Sequence, residues 1–186
     1  RWRLAPLRAL QGGNRGLNRD LMAKRFLWLI PIALAVGIDQ LTKYLAVVYL
    51  KPIGTFPIIQ DVLHLTYVEN RGAAFGMLKD HRWVFMLTST VAIIAVLIFM
   101  FGWYKKYYHP LFYAGLALIC GGGIGNMIDR TVAGYVVDFV DLRIINFAVW
   151  NGGDTFITIG TGLVILYLII TEVKSIKADK AAKTTN

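Results

Sequence analysis

A single cysteine, Cys120, and three scattered histidines, His64, His81 and His109, leave these 186 residues without a disulfide framework or the Cys and His ligand sets of a zinc site. No His-x-x-x-His pair occurs, and Ser89, inside an apolar run, has neither a Gly-x-Ser-x-Gly elbow nor a neighbouring base, which removes serine chemistry as well. Charge is also scarce. Only 17% of residues are charged and eleven are Asp or Glu, where soluble domains run near a quarter charged. With 56% hydrophobic residues, the chain carries more apolar surface than a soluble core absorbs, so lipid is the expected surroundings. Cys120 reads as a small buried residue of an apolar segment.

Four stretches approach the roughly 20 apolar residues that a bilayer crossing needs: about 26–48, 83–103, 111–128 and 156–171. The first runs past the length of a signal-peptide core and lacks a small-x-small cleavage site, so it is expected to stay in the protein. Lys and Arg fall on one side of these spans. Seven precede the first span, Lys105 and Lys106 separate the second from the third, and Lys174, Lys177, Lys180 and Lys183 follow the fourth, 13 of the 20 in all. That asymmetry predicts that both termini are cytoplasmic and that the connections 49–82 and 129–155 lie outside. It also accounts for the net charge of +9 without a nucleic-acid partner, since the basic tail lacks interleaved aromatics. The expected organisation is an upstream extension over 1–21, a four-span domain over 22–173 opening at Met22, and a basic cytoplasmic tail over 174–186.

The outer segment 53–75 reads differently from the spans. After the turn formers Pro52, Gly54 and Pro57 come β-branched and aromatic residues in partial alternation, which predicts a small extracytoplasmic sheet. It ends in Glu69-Asn70-Arg71-Gly72-Ala73-Ala74-Phe75-Gly76, whose small residues either admit another backbone or form a connecting turn.

Five of the eleven acidic residues, Asp39, Asp129, Asp138, Asp141 and Asp154, lie in or beside the apolar spans. A carboxylate held at a bilayer is expensive and marks a functional site by default. In the predicted topology Asn126 and Asp129, on one face of a helix, meet Asp154 in a single outer layer. Asp39 falls in the outer half of the first span with Lys43 one turn beyond, and that pair lowers the cost of burying either. Asn151 and Asp154 have the spacing of a helix N-cap and its third residue, and Asp129 beside Arg130 has that of an interfacial ion pair. Asp141 either reinforces Asp138 or is solvated. Gly121, Gly122, Gly123 and Gly125 read as a helix-packing surface, since no Lys-Ser/Thr follows for a phosphate loop. With His, Cys and Ser chemistry removed, carboxylates remain. Two aspartates held close cannot both ionise, so one keeps a proton while the other takes a proton from water attacking an amide carbonyl.

Asp39-Gln40-Leu41-Thr42-Lys43, Asn70-Arg71-Gly72-Ala73-Ala74-Phe75, Gly125-Asn126-Met127-Ile128-Asp129-Arg130, Val136-Val137-Asp138-Phe139 and Asn151-Gly152-Gly153-Asp154, in that order, resemble the motifs of the lipoprotein signal peptidase (signal peptidase II) family. The resemblance implies an aspartic endopeptidase of the bacterial inner membrane, with no metal or other cofactor. It would cut prolipoprotein signal peptides before a diacylglyceryl-modified cysteine, at the outer face and against membrane lipid. It implies a catalytic dyad of Asp138 and Asp154, supported by Asn126, Asp129, Arg130, Asn151, Asp39 and Lys43. Asn70 and Gly72 would lie near the substrate, and the outer strands would form a β-cradle. The chain departs from the family pattern at Ala148, Gly153 and Thr155. A rival reading is a small proton- or ion-coupled transporter using Asp39, Lys43, Asp129 and Asp154 as a relay, but such proteins carry internal repeats and midplane charges, and no repeat is visible here.

Because Met22, Lys24 and Arg25 supply a start and the orienting charge, a chain beginning at Met22 is expected to insert with unchanged orientation. Protease protection of tags at both ends checks this, and inversion or loss of insertion would give residues 1–21 a role.

Overall fold

In a computed structural model the described residues are 24–72, 82–103 and 108–184. The predicted extension 1–21, His81, Lys105, Lys106 and the end of the Glu69 to Gly76 stretch lie outside them. The described residues form four long helices and one three-stranded sheet. Helix α1 spans Leu29–Leu45, led by a tight 3₁₀ turn at Arg25–Trp28 and followed by a wider π turn at Ala46–Leu50. Strands β1 (Thr55–Ile59) and β2 (Leu63–Asn70) form an antiparallel hairpin whose turn holds Asp61 at φ 61°. Helix α2 (Arg82–Gly102) and helix α3 (Pro110–Val132) follow. Strand β3 (Val136–Leu142) then pairs antiparallel with β2, and α4 (Gly152–Thr184) ends the described chain.

Among the described residues three helical stretches, Arg25–Leu50, Pro110–Val132 and Gly152–Ala182, are long and apolar enough to cross a membrane, and Met86–Gly102 is a shorter apolar helix. Exposed Leu34, Ile38 and Leu41 on α1 and Ile165, Leu168 and Ile169 on α4 give these helices apolar outer faces, as lipid requires. The last two helices overrun the sequence-predicted spans 111–128 and 156–171, taking Asp129 and Asp154 into helix. A cap at Asn151 starts α4 at Gly152, and Gly134, with φ 82°, stops α3 by donating to Asp129 O at 3.2 Å. The stretch set apart as a basic tail from 174 continues α4 through Thr184.

Helix α3 is the hub. Half of its apolar window is buried, compared with 6% for α4. Tyr113, Leu116, Ala117 and Cys120 pack with Ile32 of α1 and Met100 of α2, and the Tyr113 hydroxyl donates to Met100 O at 3.3 Å. A second cluster seats Val137 of β3 on Ala46 and Leu50, with Leu65, Tyr67 and Phe139 against it, which fixes the sheet on the end of α1. The glycine run packs as read: Gly121 faces Ile32 and Ala35, Gly122 faces the Gly153 carbonyl, and Gly125 faces the Asp39 carboxylate.

A Cβ at Gly122 would overlap the backbone of Gly153, which cannot swing aside as a side chain can. Gly122→Ala is therefore expected to destabilise the protein by about 1–3 kcal/mol, the usual range for overpacking, read as a lower thermal midpoint in detergent. An unchanged midpoint would show that α3 and α4 are not closely packed there.

Candidate active site

Asp138 sits on β3 opposite Val68 of β2. It is 1% exposed, yet both its oxygens are engaged. Asn70 Nδ2 donates to Oδ2 at 2.9 Å and Asn151 Nδ2 to Oδ1 at 2.6 Å. Burial pushes the Asp138 pKa up to about 6; the Asn70 and Asn151 amides pull it down, the nearby Asp154 charge adds to the rise and Lys43 opposes it.

Asp154 enters from the other side, as the third residue of α4. Asn151 caps this helix, its Oδ1 accepting from Asp154 N at 3.0 Å, which is the cap spacing read in the sequence. Asn126 Nδ2 donates to Asp154 Oδ1 at 2.8 Å, and Asp154 Oδ2 has no protein partner among the described residues. Both aspartates line one cavity of about 550 Å³, together with Asn70, Gly72, Arg130 and the apolar stretch from Phe147 to Trp150.

The three asparagines cannot rotate freely. Asn70 Oδ1 accepts from Gly72 N at 3.0 Å, Asn126 Oδ1 from Lys43 Nζ at 2.7 Å, and Asn151 Oδ1 from Asp154 N. In each case the amide oxygen is claimed by a donor, so the NH₂ must face a carboxylate; a flip would set donor against donor and oxygen against oxygen.

Beneath them lies a buried charge network. Lys43, 3% exposed, spends its ammonium on Asp39 Oδ2 at 2.8 Å, Asn126 Oδ1 and Asp129 Oδ2 at 3.1 Å. Asp39, fully buried, also accepts from Gly153 N at 2.5 Å through Oδ1. Asp129 Oδ2 accepts from Val137 N at 3.2 Å, one residue before Asp138. One ammonium therefore ties α1 to α3, to the first turn of α4 and to the start of β3. Asp129 directs its carboxylate to Lys43 rather than forming the local ion pair that its neighbour Arg130 suggested, while Arg130 Nη1 donates to Asn126 O at 3.2 Å.

Of the residues singled out in the sequence, Asp39, Lys43, Asn70, Asn126, Asp129, Asp138, Asn151 and Asp154 form one connected set, and Gly72 and Arg130 line its cavity. Asp141 takes neither of its anticipated roles: it accepts from Thr66 at 2.7 Å and Arg143 at 3.0 Å, pinning the hairpin. Gln40 was overlooked. Its Nε2 reaches Asp129 Oδ1 at 2.9 Å and Gly125 O at 3.2 Å, and its position three residues before Lys43, on one helix face, was the available signal. The strand character of Val136-Val137-Asp138-Phe139-Val140 was likewise readable from its β-branched and aromatic residues. Trp150 was missed too: its indole donates to Thr155 Oγ1 at 3.2 Å, one of the positions where the chain departs from the family pattern. Among the described residues no three His, Cys, Asp or Glu side chains gather as a metal-ligand set.

A sequence profile described as Signal peptidase (SPase) II matches residues 31–170. The chain belongs to this family. Among signal peptidase II relatives, the "Lipoprotein signal peptidase" of Caldanaerobacter subterraneus subsp. tengcongensis is 47% identical over 142 residues, covering 76% of this chain and 94% of that one. The protein of the same name from Clostridioides difficile is 42% identical over 152 residues, covering 80% and 99%. A bacterial membrane enzyme solved by the in meso method at 2.3 Å resolution superposes with a TM-score of 0.68 at 30% identity, covering 77% of this chain and 87% of that one. As a member of the signal peptidase II family, the chain is a peptidase and a multi-pass membrane protein.

Removing the ammonium while leaving its two carboxylates buried is the harshest change available to this network. Lys43→Met is expected to cost about 3–5 kcal/mol of stability, the range for breaking a buried pair, and adding Asp39→Asn is expected to recover part of it by removing one stranded charge. Thermal unfolding of the single and double variants measures this, and a Lys43→Met protein as stable as the parent would refute the network's role.

Proposed function

We propose that this chain removes signal peptides from bacterial prolipoproteins by aspartic catalysis, cutting before the diacylglyceryl-modified cysteine. The observation that carries the reading is the pair of carboxylates, Asp138 and Asp154, facing one cavity from different elements, each held by asparagine amides. Family membership and the names of the relatives support the substrate class.

Asp138 is the base in this reading. Amide donors on both oxygens favour its ionised form, and a pKa near 6 leaves it ionised at neutral pH but still basic enough to accept a proton. Asp154 carries the proton on Oδ2, the oxygen without a described protein partner. Water between them loses a proton to Asp138 as its oxygen bonds to the scissile carbonyl carbon, while Asp154 protonates the carbonyl oxygen. Collapse of the tetrahedral intermediate breaks the C–N bond. The proton taken by Asp138 passes to the departing amine, and Asp154 recovers its own from the intermediate's hydroxyl. Arg130, on the cavity wall, tunes the charge of the pair, and Asn70 and Gly72 lie where substrate backbone would pass.

The proposed setting is four spans with both termini cytoplasmic and the sheet and site at the outer face of the inner membrane, supported by the Lys and Arg asymmetry. Residues 22–173 would form the working domain, with membrane lipid as its surroundings and no nucleic-acid partner. Catalysis needs no metal in this reading. A transporter relay gains nothing from the geometry, because Asp39, Lys43 and Asp129 satisfy one another in a closed network.

The purified chain is expected to cleave a diacylglyceryl-modified precursor and spare the unmodified one, in EDTA as in buffer. Asp138→Asn and Asp154→Asn are each expected to abolish cleavage, because an amide of nearly equal volume cannot exchange the proton. Substantial turnover in either variant removes that residue from the dyad, and Zn²⁺-restored activity after chelation refutes the mechanism.

Activity of the parent is expected to fall as pH drops through about 6, where Asp138 takes up its proton. The Asn70 donor holds that pKa down, so Asn70→Ala should move the acid limb of kcat/KM to higher pH. A limb that stays put would show that Asp138 is not the base.

A further inference from the structure

The stretch between Leu142 and Trp150 is pinched at its base. Trp150 N donates to Val140 O at 3.0 Å and Val140 N to Trp150 O at 2.8 Å, an isolated bridge that ties Trp150 back to β3. The Trp150 indole bond to Thr155 Oγ1, at 3.2 Å, fastens the same base to the first turn of α4. Apolar side chains project from it. Ile144, Ile145 and Phe147 are 64%, 63% and 52% exposed, and Asn146, with φ 48°, turns the chain between them. Large apolar groups exposed near one another mark a contact surface. Arg143, at the foot of the loop, is held back by Asp141 at 3.0 Å, so its charge stays with the sheet.

Helix α4 gives the depth of this loop. Its first charged residues at the far end are Glu172 and Lys174, and about 20 residues at 1.5 Å each span the hydrocarbon. Counting back from there brings the other boundary close to Asp154, with the loop's base at Trp150 just beyond it. Phe147 also borders the cavity that Ile159 of α4 lines, and Ile159 is itself 50% exposed. Aromatic and aliphatic side chains at this level are those that anchor proteins in the boundary between headgroups and acyl chains.

We propose that the 143–149 loop is an interfacial foot, seating Ile144, Ile145 and Phe147 in the lipid at the Gly152 end of α4. Its occupant is the bilayer itself. Because the loop continues into the apolar wall of the cavity, from Phe147 to Trp150, lipid contact holds that wall at the depth where α4 begins. The proposal needs only that the chain crosses the membrane and is independent of the roles of Asp138 and Asp154.

Nitroxide labels at Ile144→Cys, Ile145→Cys and Phe147→Cys, one at a time, test it in the full chain reconstituted in phosphatidylcholine and phosphatidylglycerol vesicles. Cys120 is fully buried and leaves the label to the new thiol. Leu166→Cys, on the lipid face of α4, and Lys177→Cys, on its exposed basic end, are the references. Collision with dissolved oxygen is expected to exceed collision with a water-soluble nickel chelate several-fold at all three loop positions, as at Leu166→Cys, with the reverse at Lys177→Cys. Nickel access at the loop equal to that at Lys177→Cys overturns the proposal by leaving the loop in water. Shielding from both probes overturns it as well, since a second copy or another stretch of protein would then cover the loop.

Discussion

Taking an ammonium out of water costs several kcal/mol even after the protein relaxes, and the groups that repay the Lys43 ammonium set the geometry of the rest. The ammonium donates to Asp39 and Asn126 and forms an ion pair with Asp129 at 3.1 Å, three partners on two helices. Each acceptor then holds something further: Asp39 the first turn of α4 through Gly153 N, Asp129 the entry to β3 through Val137 N, Asn126 the carboxylate of Asp154. Glycine at 125 leaves the room that the Asp39 carboxylate fills. The network is closed, which suits a scaffold for a site better than a path for protons.

On this base the two aspartates receive different surroundings. Asp138 is buried and held by amides on both oxygens, whereas Asp154 stands at a helix N-terminus, partly exposed, with one oxygen open toward the cavity. Pairs of titratable groups whose surroundings differ in this way are how acid and base are told apart in a proton-exchanging site. Asn151 connects them, capping the helix that bears Asp154 with its oxygen while donating to Asp138 with its nitrogen.

The parts of this arrangement that depend on local spacing were legible in the sequence: Asp39 with Lys43 on one face of α1, the Asn151 cap of Asp154, the glycine packing surface of α3 and the strand character of the hairpin. The parts that depend on tertiary closure were not. Asp129 appears in the sequence beside Arg130, but its carboxylate meets Lys43, a residue far away in the chain. Asp141 pairs with His64 in the register of β2 and β3, and its carboxylate takes the diagonal neighbour Thr66 together with Arg143, contacts that only the pairing of the two strands creates. The last two spans read short because hydropathy ends where polar residues begin, whereas Asp129 and Asp154 remain helical once their side chains find partners inside the protein.

The account stands or falls on proton sharing between Asp138 and Asp154. Infrared difference titration of the purified protein in lipid, with ¹³C-labelled aspartate and the two Asp→Asn variants to assign the bands, measures it directly. The account predicts a protonated carboxyl band that titrates near pH 6 and changes in either variant, as two coupled groups require. Two carboxylates that both ionise in the ordinary range near pH 4, each indifferent to loss of the other, would contradict it.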